Sequence, residues 1–99
     1  MDIEKTQSGD KTILSLSGRL DAITAPQLQD VLIPELNAAK QIELDFSELA
    51  YVSSAGLRVL LMGEKTAKGK GGSMTLAGVS EDIMEVLKMT GLDDIFHFA

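Results

Sequence analysis

The apolar period of this chain alternates between strand-like and helical along its length, and that alternation constrains the fold more than any other feature. Gln41-Ile42-Glu43-Leu44-Asp45-Phe46 alternates cleanly, placing Ile42, Leu44 and Phe46 on one face of a strand. On either side the spacing becomes helical. Leu28, Val31, Leu32 and Leu36 recur at three and four before it, and Leu57, Leu60 and Leu61 do so after it. Val59 and Met62 widen the second stripe, which predicts a largely buried helix from Ser54 to about Lys68. Strands separated by helices imply parallel pairing through right-handed crossovers.

The flanking segments extend this pattern. Ile3 begins a weak strand, Ser8-Gly9-Asp10 supplies turn chemistry, and Thr12 to Ser17 forms a second strand that ends at Gly18. Together they predict an antiparallel hairpin. Thr24 offers a capping hydroxyl ahead of Pro26, and Pro34 should kink or shorten the helix that follows. Ser47 to Ser54 reads as a connection holding the apolar pair Tyr51-Val52. Gly69-Lys70-Gly71-Gly72 breaks the second helix, Ser73 to Ala77 is a short strand, and Ser80-Glu81-Asp82 opens a capped, acid-started helix. In that helix Ile83, Val86, Leu87 and Thr90 face inward, and Gly91 stops it. Leu92, Ile95 and Phe96 form a terminal apolar segment, a last strand or turn. The expected fold is α/β, a mixed sheet in the order β-β-α-β-α-β-α with a final β, across one domain of residues 1–99.

Composition narrows the function. Nine basic against fifteen acidic residues give a net charge of -6, which repels nucleic-acid backbones and anionic lipids. Apolar runs such as Val59 to Met62 fall far short of the ~20 residues that span a bilayer. The first five residues lack the basic and apolar regions of a signal peptide, so a cytoplasmic domain is expected, with no nucleic acid and no membrane insertion. The chain has no cysteine and a single histidine, His97, and no carboxylate cluster stands near it, so neither a metal nor another cofactor is expected.

The informative stretch is Tyr51-Val52-Ser53-Ser54-Ala55-Gly56-Leu57-Arg58. Two hydroxyls stand where a loop enters a helix, whose first turn has free N–H groups and a positive dipole end. Ala55 and Gly56 allow close approach of another backbone or a large ligand. Either Ser53 or Ser54 can act as a plain N-cap, a role compatible with modification. Enzyme readings fail on spacing. An esterase elbow needs Gly-x-Ser-x-Gly, which Ser54 lacks. Gly63 to Gly69 has one residue too many for a phosphate loop, and Lys70 is followed by Gly71. Asp45 stands alone where an aspartyl-phosphate receiver needs a cluster. Lys65, Lys68 and Lys70 read as a solvated helix end.

Four blocks in order resemble the STAS domains of bacterial anti-sigma-factor antagonists. They are Gly18 to Ala25, Leu44 to Ser47, Leu49 to Leu57, and Leu76 to Val79 with Thr90-Gly91-Leu92 and Phe96. The resemblance covers essentially the whole chain and implies a STAS fold and a switching role. In that family the serine matching Ser54 is phosphorylated by the anti-sigma factor, an ATP-using serine kinase. The unphosphorylated form binds that kinase, and a metal-dependent serine phosphatase reverses the modification. The family pattern places Asp21 and Thr24 beside the phosphorylation site, with Ser53, Ala55, Gly56, Leu57 and Arg58, on the partner surface. This chain departs from the family's Asp-Ser-Ser-Gly or Asp-Ser-Thr-Gly: Ser53 replaces the acid and Ala55 the following hydroxyl. Ser53 is thereby a second acceptor candidate. The departure also keeps open a STAS module that senses a nucleotide or scaffolds another protein without phosphorylation.

Overall fold

The computed structural model describes residues 1–99. Strand β1 (Asp2–Ser8) and strand β2 (Lys11–Leu20) form the hairpin, followed by helix α1 (Ala25–Ala38) and strand β3 (Gln41–Val52). Helix α2 (Ser54–Gly69), strand β4 (Ser73–Ala77), helix α3 (Glu81–Met89), a 3-10 turn (Leu92–Asp94) and strand β5 (His97–Phe98) complete the chain. The five strands lie side by side in sequence order, β1 antiparallel to β2 and every later pair parallel. The hairpin turns through Gly9 at φ 64°, a backbone angle that glycine adopts without steric cost.

Each parallel crossover steps one strand in the same direction, so right-handedness places all three helices on one face of the sheet. The burial pattern agrees. Thr12, Leu14 and Leu16 of β2 are buried, while Lys11, Ile13 and Ser15 on the opposite face remain partly exposed. Beneath the helices, Leu14, Leu16, Leu44, Phe46 and Leu76 of the sheet meet Leu28, Leu32, Leu60, Ile83 and Leu87 in one apolar cluster. Each fully buried leucine in such a layer contributes about 2 kcal/mol relative to exposure. No helix is long and apolar enough to cross a membrane.

Four expectations are corrected. The segment from Ser47 is not a connection, because β3 runs twelve residues to Val52. Its register against β2 shifts twice, Ser17 pairing with Glu48 after Ser15 with Asp45, and Arg19 with Tyr51 after Gly18 with Leu49. Each shift gives β3 one extra residue, so its buried positions pass from Leu44 and Phe46 to Leu49 and Val52. β2 likewise continues through Gly18, at φ 95°, to the buried Leu20. Pro34 does not shorten α1, which extends four residues beyond it. The stripe of Leu28, Leu32 and Leu36 packs on both sides of the proline and offsets its missing hydrogen bond. Thr90, which caps the end of α3, is exposed and its hydroxyl donates to the Val86 carbonyl at 2.9 Å, while Ile83 and Leu87 are buried.

Candidate functional site

The carboxyl ends of β2, β3 and β4 lead directly into α1, α2 and α3, so three strand-to-helix joints share one rim of the sheet. That rim carries the residues singled out in the sequence. At the middle joint, Ser53 is extended (φ −94°, ψ 175°) and is the N-cap of α2, its Oγ accepting from the Gly56 N–H at 3.3 Å. The Ser53 N–H donates to the Leu20 carbonyl at 2.8 Å, tying the joint to the end of β2. Ser54 is the first helical residue and is exposed, and its hydroxyl takes no part in the side-chain hydrogen bonds of the joint. The two serines therefore divide the work: one oxygen is committed to the cap and the other faces solvent.

Gly56 is buried against β2. A Cβ there would lie 2.6 Å from Leu20 Cγ and 3.1 Å from the Leu20 carbonyl oxygen. Only hydrogen fits, which explains a glycine in the first turn of a helix despite its poor propensity. Leu57 is also buried, Ala55 is half-buried and Arg58 is exposed. Gly56 and Leu57 thus serve packing, while Ser54 and Arg58 face outward four residues apart on α2.

The neighbouring joint, Asp21 to Thr24, is a tight polar turn. Asp21 Oδ1 accepts from the Ile23 N–H at 3.0 Å and the Thr24 N–H at 3.1 Å, and the Asp21 N–H donates to Thr24 Oγ1 at 2.9 Å. The Thr24 hydroxyl donates to the Arg19 carbonyl at 2.8 Å. These bonds, the Thr24 N–H foremost, hold the Asp21 carboxyl below its ordinary range against partial desolvation. Thr24 precedes α1 as expected, but its hydroxyl does not cap that helix. Its backbone is helical rather than extended, and Pro26 removes one of the N–H groups such a cap would bind.

Asp21 and Thr24 therefore shape the turn with their own side chains and present Ile23, which is 87% exposed, to solvent. Beside it Arg19 stacks over the Tyr51 ring at 4.1 Å, a cross-strand pair in register that leaves Tyr51 40% exposed. Ile23, Arg19 and Tyr51, exposed together on this rim, are not among the site residues expected from the sequence. Ile23 stood inside the recognised block, and an isoleucine in a turn between polar residues was the available signal. Tyr51 lies in β3, in the segment whose sequence predicts a connection. Between α1 and α2 a shallow groove is lined by Ala22, Ala25, Pro26, Ala55, Arg58 and Met62, among others, and so joins residues of both joints.

At the third joint, Asp45 Oδ1 accepts from the Ser47 hydroxyl at 2.7 Å and the Ser47 N–H at 3.0 Å, which lowers the Asp45 carboxyl below its usual range. Gly78 packs so closely there that a Cβ would lie 3.1 Å from Asp45 Oδ1. His97 lies away from the rim, on β5, with Nε2 3.5 Å from Glu64 Oε2. No group of three or more histidine, aspartate or glutamate side chains is placed to hold a metal ion.

The family model described as "Mlab, STAS domain" matches residues 3–97. The chain is 27% identical to the anti-sigma-B factor antagonist of Bacillus subtilis over 99 residues, covering 100% of this chain and 91% of that protein. A Thermotoga maritima protein described as a candidate anti-sigma factor antagonist has a crystal structure that superposes with a TM-score of 0.90 at 26% identity, covering 97% of this chain and 84% of the other. The fold is shared with SpoIIAA of Bacillus in its unphosphorylated form (TM-score 0.77, 16% identity, covering 99% and 87%) and its phosphorylated form (TM-score 0.76, 19% identity, covering 99% and 91%).

Proposed function

The chain belongs to the STAS-domain family, and on that premise we propose that it is an anti-sigma factor antagonist switched by phosphorylation of Ser54. Its unphosphorylated form binds and sequesters an anti-sigma factor that is also a serine kinase. In the modification step Ser54 Oγ bonds to the γ-phosphorus of ATP held by that kinase, ADP leaves, and the hydroxyl proton passes to a base on the kinase. A metal-dependent serine phosphatase restores the hydroxyl. The protein acts by binding and needs no catalytic group or cofactor of its own.

The observation that carries this reading is the division between the two serines. Ser53 Oγ is engaged as the cap, whereas Ser54 Oγ is exposed at the first turn. A phosphate on Ser54 adds about 1.5–2 negative charges at a helix end whose free N–H groups favour an anion, so the fold persists. That the STAS fold exists with and without phosphate in SpoIIAA supports the same point. A partner surface shaped around a neutral hydroxyl would then meet a charge, and desolvating it costs several kcal/mol. The turn built by Asp21 and Thr24 offers Ile23 as an apolar anchor to that partner, with Arg19 and Tyr51 beside it.

The test compares the partners retained by wild type, by Ser54→Asp and by protein carrying phosphoserine at position 54. Retention of a protein with an ATP-binding kinase domain by the unmodified form, and its loss from the phosphorylated form, supports the switch. Equal retention by all three refutes it. The serine at position 53, where the family carries an acid, favours a second reading as a sensor or scaffold that is never phosphorylated. Saturable binding of a nucleotide to the isolated protein, with no partner response to modification, would support that alternative.

A further inference from the structure

Arg58 follows Ser54 by four residues on α2, so the two side chains project from the same face with Cβ atoms about 5–6 Å apart. Both residues are exposed. The ion pairs of the chain engage Lys5, Lys11, Arg19, Lys68 and His97, and none involves Arg58. The elements facing Arg58 supply no anion to it. Across the groove, α1 and the turn before it contribute Ala22, Ala25, Pro26 and Gln29. On the rim, the Asp21 carboxylate already accepts from two backbone N–H groups and lies 3.9 Å from Arg19. In the unmodified protein the only formal charge lining the groove is therefore an uncommitted guanidinium.

From this geometry we infer that Arg58 is an internal clamp for the phosphate on Ser54, and that closing the clamp withdraws the guanidinium from the α1–α2 groove. The inference rests on Ser54 as the acceptor. A planar guanidinium donates two parallel N–H groups to phosphate oxygens, and the spacing of one helical turn lets both ends meet without backbone movement. One modification then alters the rim in two places. It places negative charge at Ser54, and it removes the positive charge that the groove offers to a carboxylate-bearing partner segment. Lysine would hold the phosphate as a point charge without the paired geometry, so it is an incomplete substitute.

The test incorporates phosphoserine at position 54 during translation, which makes the modified state available without any kinase. The phosphorus resonance is followed against pH in wild type, Arg58→Gln and Arg58→Lys. A nearby cation favours the dianion, so the second ionisation in wild type falls lower than in Arg58→Gln by roughly 0.3–0.7 pH unit, with Arg58→Lys between them. Raising salt to about 1 M narrows the gap. Coincident curves for wild type and Arg58→Gln overturn the clamp. Because Arg58 is exposed, the unmodified variants should share the wild-type urea midpoint, which verifies that the curves compare intact folds. This titration is separate from the partner assay: the phosphate can release the partner with no clamp, and the clamp can form in a protein whose partner ignores the phosphate.

Discussion

Replacing Gly56 with alanine sets helix propensity against packing at the joint between β2 and α2. Propensity alone favours alanine by about 0.8–1 kcal/mol in a helix interior. The added Cβ, however, would stand 2.6 Å from Leu20 Cγ, 3.0 Å from its Cδ2 and 3.1 Å from its carbonyl oxygen. Leu20 has no room to retreat, because its side chain is fully buried and its carbonyl accepts the Ser53 N–H at 2.8 Å. Forcing a methyl group into such a contact costs about 1–3 kcal/mol or more, and here the backbone of β2 must move as well. The net loss is about 1–2 kcal/mol, which lowers the melting temperature of a domain this size by roughly 5–15 °C. Thermal and urea unfolding monitored by circular dichroism measure it. Gly69→Ala is the internal control, since a Cβ there meets nothing within 4 Å and the variant should melt at or slightly above wild type. If Gly56→Ala melts as high as Gly69→Ala, the close approach of Leu20 is not what requires the glycine.

Three further outcomes are expected. Ile23→Ala should weaken binding to the proposed kinase partner about 10- to 50-fold, from the apolar area it no longer buries, while the unfolding midpoint stays put; unchanged affinity refutes Ile23 as an anchor. The depressed Asp21 carboxyl stabilises the turn at pH values above the ordinary 3.8, and that contribution fades as pH falls below it through the folded-state value. The amide resonances of Ile23 and Thr24 should therefore titrate with a midpoint under 3.8, and a midpoint at or above it contradicts the hydrogen bonding described. Glu64 is 3% exposed, its Oε1 lacks any partner, and its Oε2 has only His97 at 3.5 Å and Lys68 at 3.8 Å. Glu64→Met should raise the urea midpoint by removing a poorly compensated buried charge, whereas a fall would mean that His97 and Lys68 outweigh its desolvation.

The parts of the fold that could be read from sequence are those in which one period governs an element throughout. Ile42, Leu44 and Phe46 alternate because β3 pairs regularly with both neighbours from Gln41 to Asp45. Beyond Phe46 the two register shifts stretch the spacing of buried residues to three, at Leu49 and Val52, and a period-two reading loses the strand. Likewise, neither Ser53 nor Ser54 announces which is the cap. That depends on the Ser53 N–H, just past the end of β3, donating to the Leu20 carbonyl, a tertiary contact. Asp21 and Thr24 were legible as a block, but their roles within it were not. Only the hydrogen bonds show that they spend their polar atoms on the turn and leave Ile23 to the solvent.

The one-sided layering of the helices has an evolutionary consequence. Because the apolar cluster lies between the helices and one sheet face, and the rim is made of joints at its end, the two accumulate substitutions under different constraints. Changes at Ile23, Tyr51 or Arg58 touch exposed surface, where most replacements alter stability by less than about 0.5 kcal/mol. Under the proposed function, duplicated genes for such a chain can thus diverge in whom they bind while inheriting the same scaffold, and parallel signalling lines can become insulated from one another by a few substitutions along a single edge.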